Sequence, residues 1–242
     1  MTSMAPLPPL PSPVTLGDQA YTALREAIVT GTLERGEKVT ERGLAESLGI
    51  SATPVREALR RLEQDRLVER TGPRSVRVAR FGKDELREFT MIEDVLRALA
   101  ARLAAEKSTA SQRREMADCL DAADALRGRL HETEPGTDAE RDLVLEIQDL
   151  MRHFHTLVDR AGGNATLVQM LHTVDAFGSQ ERREGVLSEV RGERAKVVDE
   201  RYRQHRDIYE AVAAGDGARA EELMRAHSRV SNTSRITTRF PE

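Results

Sequence analysis

The segment Thr40-Glu41-Arg42-Gly43-Leu44-Ala45-Glu46-Ser47-Leu48-Gly49-Ile50-Ser51-Ala52-Thr53-Pro54-Val55-Arg56-Glu57-Ala58-Leu59-Arg60-Arg61-Leu62 spells a helix, a turn and a second helix. Thr40 is an N-cap residue for a first helix whose apolar positions are Leu44, Ala45 and Leu48. Gly49 stands where a helix ends in the left-handed conformation. Thr53 is expected to cap the second helix, with Pro54 at its first position. Val55, Ala58, Leu59 and Leu62 form one apolar stripe, and Arg56 and Arg60 occupy the opposite face.

On the N-terminal side, Tyr21, Leu24 and Ile28 recur at helical spacing, which predicts a helix over 18–30 stopped by Gly31. On the C-terminal side, Leu67-Val68-Glu69-Arg70 and Val76-Arg77-Val78 alternate as two strands about a Gly72-Pro73 turn. Helix, turn, basic helix and hairpin is the order of a winged helix-turn-helix. The leading turn of the second helix of such a unit enters the major groove of duplex DNA. Ser51, Thr53 and Arg56 lie at that end. Arg56 has the fork of donors that fits guanine, and Arg42 and Arg61 are placed for phosphates. The hairpin adds Thr71, Gly72 and Arg74.

The rest of the 242-residue chain reads as helices near 84–107, 111–131, 138–161, 164–180, 193–214 and 216–229, broken at Pro135-Gly136, Gly162-Gly163 and Gly215-Asp216-Gly217. The fold class is therefore mainly α. An uncharged Pro-rich tail (1–15), a winged helix-turn-helix domain (16–80), an all-α domain (81–230) and a flexible end (231–242) make up the expected organisation.

Aromatic residues are only 3% and Trp is absent, which argues against a β-sandwich. One cysteine, Cys119, excludes a disulfide framework or a multi-cysteine zinc site. No run reaches the ~18 apolar residues of a membrane span, and no signal peptide precedes the helices, so a cytoplasmic protein without membrane contact is expected. Net charge is −4 overall, yet residues 51–80 hold 8 Lys/Arg against 4 Asp/Glu. A basic end on an acidic body suits a polyanion bound at one end.

The motifs from Gly31-Thr32-Leu33-Glu34-Arg35-Gly36 through Thr40–Ser51 and Pro54–Leu62 resemble the head of GntR-type bacterial repressors. The resemblance implies DNA contacts at Arg42, Ser51, Thr53, Arg56, Arg61 and the wing around Gly72. This chain carries Ala52 where the family usually has Arg, and Arg74-Ser75 where its wing usually has Arg-Gly.

His155, His205 and His227 fall on three different expected helices, and imidazole suits zinc, nickel or manganese. Phe154-His155, Ala161-Gly162-Gly163-Asn164, His205–Ala211 and Met224-Arg225-Ala226-His227 are similar to the all-helical FCD domain that defines the FadR subfamily of GntR regulators. That resemblance implies a divalent metal ion held by these three histidines. Met151 stands where the family places an acidic fourth ligand, and Glu93 and Arg97 replace an Arg and a Glu. It also implies a homodimer on a palindromic operator, released or recruited by a small carboxylate effector. The expected function is a ligand-responsive regulator, a repressor, and no enzyme. The alternatives are a regulator sensing an acyl ligand without metal, and a metal-dependent hydrolase with Asp159 or Glu210 as base.

Overall fold

A computed structural model describes the backbone of residues 14–240, and the side chains of these except 176–196, 234–235 and 238–239. The Pro-rich segment read as a tail lies outside the described residues up to 13. The chain divides into two units, one ending at Arg80 and the other beginning at Phe81.

The first unit opens with α1 (Leu16–Thr30), where Thr15 and Asp18 close a capping box. Next come β1 (Lys38–Thr40), α2 (Glu41–Leu48), α3 (Ala52–Gln64), β2 (Val68–Gly72) and β3 (Ser75–Val78). Thr40 caps α2 by accepting from the Gly43 N–H at 3.0 Å. Gly49 ends α2 at φ +66°, a conformation that costs a side chain but not glycine. The strands form an antiparallel sheet in the order β1-β3-β2. Ile28, Val55, Ala58, Leu59, Leu62, Val76 and Val78 make the buried core beneath it.

Two expectations for this unit need correction. The N-cap of α3 is Ser51, not Thr53, so Pro54 sits third in the helix. The backbone N–H groups of a first turn have no intrahelical partner, so proline fits there as well as at the first position. β1 was not foreseen. It is three residues long with one half-buried side chain, too short to show alternation.

The second unit is all helix: α4 (Lys83–Lys107), α5 (Ala110–Glu132), α6 (Asp138–Ala161), α7 (Ala165–Ala213) and α8 (Gly217–Arg239). Side chains of Thr109, Thr137, Asn164 and Asp216 cap α5 to α8. Ala101, Ala104 and Ala105 of α4 admit close packing with Met116, Leu120, Phe154, Val158, Ile208, Val212 and Met224. At the end of α6, a Cβ on Gly162 would stand 2.7 Å from the Leu103 Cβ, so only glycine allows this approach to α4. α7 is one helix where two were expected. Gly178, Gly185 and Gly192 interrupt the apolar period there, but each costs only about 1 kcal/mol amid Glu, Gln and Arg, which favour helix. α8 continues to Arg239, past Val230, where the sequence reading ended the domain.

Candidate functional site

In the first unit, α3 buries Val55, Ala58, Leu59 and Leu62 and turns Ser51, Thr53, Arg56 and Arg60 outward. Arg42, on α2, is almost fully exposed and pairs with Glu46. The β2–β3 turn presents Arg74, and the Thr71 and Ser75 hydroxyls lie 3.2 Å apart beside it. Gly72 is at a register shift of the hairpin, where a Cβ would meet the Ser75 Oγ at 2.9 Å. Ser51, Thr53, Arg56, Arg42 and the wing thus all have exposed or half-exposed positions on this unit.

Arg61 is placed differently. Its Nη1 donates to Asp18 at 2.6 Å, and its guanidinium lies 4.2 Å from the Tyr21 ring centre. It joins α3 to α1, while the Tyr21 hydroxyl donates to Asp65 at 2.6 Å. Burial, with the Asp65 carboxylate beside it, pushes the Tyr21 phenol up to about 12. Sequence reasoning missed Glu41, whose buried carboxylate accepts from Arg56. An acid in a first turn is ordinarily only a favourable partner of the helix dipole, so no signal marked it.

In the second unit, α6, α7 and α8 bring His155, His205 and His227 together. One ring nitrogen from each lies within 4.8 Å of the others. His205 and His227 are buried and His155 is half-buried. The His205 Nδ1 lies 2.6 Å from the Arg201 carbonyl oxygen. A carbonyl only accepts, so that nitrogen holds the proton and Nε2 presents its lone pair. The His227 Nδ1 likewise faces the Gln204 Oε1 at 2.8 Å. Burial pushes the His205 imidazole down to about 4. Burial, then the charges of His205, Arg201 and Arg97, holds His227 well below the usual histidine range. Neutral rings with oriented lone pairs are the form that binds metal. Nitrogens about 2.1 Å from one ion stand roughly 3.0–3.4 Å apart, and the His155 and His205 Nε2 atoms are 3.1 Å apart. The donor chemistry and this one spacing therefore suit a divalent cation.

Met151 packs among apolar side chains of α5–α7 and brings no acid to the cluster. Asp159, one turn beyond His155, is committed elsewhere: its Oδ2 accepts from Arg97 Nη1 at 3.0 Å. Arg97 also pairs with Glu93 at 3.3 Å and with Asp175. These carboxylates outweigh the burial of Arg97 and keep its guanidinium charged. Burial raises Asp159 to about 7 despite the guanidinium beside it. Glu210, the other candidate base, is exposed on α7.

The sequence profile described as bacterial regulatory proteins, gntR family, matches residues 16–78, and that of the FCD domain matches residues 89–229. The chain belongs to the GntR family. Its head and FCD domain give the FadR-like architecture of this family. The HTH-type transcriptional regulator LutR of Bacillus subtilis (strain 168) is 30% identical to this GntR protein over 210 residues, spanning 83% of this chain and 92% of LutR. The HTH-type transcriptional repressor GlaR of Escherichia coli (strain K12) is 26% identical over 211 residues, spanning 86% and 90%. Among solved structures, E. coli McbR/YncC shares the fold with a TM-score of 0.74 at 22% identity, covering 94% of this chain and 99% of that one. Among the described residues, no helix of the GntR protein is long and apolar enough to cross a membrane.

Proposed function

We propose that this GntR protein is a ligand-responsive repressor that reads a palindromic operator as a homodimer and senses a small carboxylate in its FCD domain. The cluster of His155, His205 and His227 is the observation that carries the sensing half. These three side chains would hold a zinc, nickel or manganese ion. Such an ion supplies a Lewis-acidic partner for a carboxylate oxygen. Arg201 and Gln204 orient two of the rings for it.

The DNA half rests on α3. Ser51, Thr53 and Arg56 reach base edges, Arg42 and Arg61 hold phosphates, and Thr71, Gly72 and Arg74 form the wing contact. The pairing of Arg61 with Asp18 makes it the weakest of these contacts. Homodimerisation is supported by α4, where Met91, Ile92, Val95 and Leu99 form an exposed apolar stripe. Soluble monomers rarely leave such a patch in water, and a second copy covers it. The effector switches the protein only if it binds the DNA-bound and DNA-free arrangements unequally.

The test uses full-length protein, dialysed mildly and assayed for bound metal, then mixed with the DNA upstream of its own gene and a panel of small carboxylates. One divalent ion per chain, and a carboxylate that changes the gel shift, are the expected results. No bound metal under any loading, in protein that still binds DNA, would overturn the metal-based sensing.

A further inference from the structure

Glu41 opens α2 with a carboxylate only 3% exposed. Its Oε2 accepts from Arg56 Nε at 3.1 Å and stands 3.0 Å from Nη2. Its Oε1 is 3.6 Å from Nη1 of Arg70 on β2. Arg70 in turn donates to Glu63 of α3 at 3.2 Å. The Glu41 backbone N–H donates to the Arg74 carbonyl in the β2–β3 turn at 3.1 Å. One residue therefore gathers the first turn of α2, the outward face of α3 and the hairpin.

The way Glu41 grips Arg56 matters. A guanidinium is a planar fork of five N–H donors. Glu41 takes the side edge, Nε with Nη2. The end edge, formed by Nη1 and the other hydrogen of Nη2, is the one remaining for two parallel bonds to guanine O6 and N7. An unheld arginine on a helix surface loses rotamer freedom when it binds, and holding it beforehand reduces that loss. A carboxylate beside a polyanion-binding face opposes phosphate attraction, so its benefit must lie in geometry rather than in charge.

We propose that Glu41 is the positioning residue for base reading: it holds Arg56 by one edge so that the other meets the base already oriented, and it ties the wing to the same point. The proposal rests on the reading that α3 enters duplex DNA. Glu41 touches no base. Its removal should lower sequence preference and leave general DNA affinity unchanged or higher.

The experiment selects the preferred duplex of the full-length wild-type chain from a random-sequence library. Affinities for that duplex and for an unrelated one are then measured at fixed salt. Glu41→Ala should weaken binding to the selected duplex roughly tenfold, a fraction of the value of a full bidentate contact. It should not weaken binding to the unrelated duplex. In an Arg56→Ala background the same change should have no further effect on the selected duplex. Glu41→Gln, which keeps the volume and one acceptor, should fall between wild type and Glu41→Ala, and it serves the same comparison if Glu41→Ala does not fold. Equal loss on both duplexes, or an undiminished loss in the Arg56→Ala background, would overturn the assignment. If wild type enriches no sequence, the DNA reading beneath it is overturned; if wild type enriches one and Glu41→Gln binds it identically, the role of Glu41 alone is.

Discussion

The Nε2 atoms of His155 and His205 lie 3.1 Å apart although 50 residues separate them in the chain. The His205 Nε2 has no proton to give, because its Nδ1 proton goes to the Arg201 carbonyl. A proton on His155 Nε2 can bridge the pair, or, on the proposed function, a shared cation would. The second possibility leads directly to measurable consequences.

His205→Ala should weaken metal binding by more than about a hundredfold, since the loss of an outer partner alone reaches that size. Gln204→Leu, which removes the acceptor for His227 Nδ1, should cost about 10- to 100-fold. Metal titration of chelator-stripped protein, with circular dichroism to verify the fold, checks both. Full metal retention in His205→Ala would remove that residue from the site.

Metal-free protein should lose stability in mild acid. His205 is neutral when folded, with its imidazole pushed down to about 4, against 6.5 for a free ring. Protonation therefore favours the unfolded chain. The contribution is fully present above about pH 6.5 and is lost as pH falls toward 4. For this ring alone the loss between pH 7 and pH 5 is on the order of 2 kcal/mol. His227 is shifted in the same direction and adds to it. Urea denaturation across this range provides the measurement, and a flat profile would contradict a buried neutral pair.

Val95→Glu places a charge in the exposed stripe of α4 without touching the interior, because Val95 is 55% exposed. Light scattering should report a change from two copies to one, with the melting behaviour of the winged unit unchanged. A dimer that survives the substitution would locate the interface elsewhere.

Gly49→Ala tests a backbone effect free of packing. Nothing lies within 4 Å of the Cβ that would be added, so only the φ of +66° opposes it. The expected cost is about 1 kcal/mol in the stability of the winged unit. Denaturant titration reads it directly, and an unchanged midpoint would mean that the turn accommodates an ordinary residue.

The cap and stop of α2 were legible because their chemistry is local: Thr40 and Gly49 act on neighbours three or four residues away, whereas the cap of α3 fell on Ser51 and not on the expected Thr53. The three histidines were legible from the FCD resemblance, although spacing alone says nothing of their convergence. The pairings of Glu41 and Arg61 were not, because their partners, Arg56 and Asp18, are distant in sequence and a pairing between charges leaves no period. The extent of α7 escaped for a related reason: glycines and charged residues carry no apolar stripe, yet the backbone continues through them.

His155, His205 and His227 belong to α6, α7 and α8, so whatever all three grip at once fastens three helices at a single point. Such a fastener acts as a removable rivet. Inserting it would tie together three elements that already meet, and withdrawing it would return slack to them. A sensor built this way can report occupancy through rigidity, which hydrogen exchange along α6, α7 and α8 would register even where the average coordinates do not change.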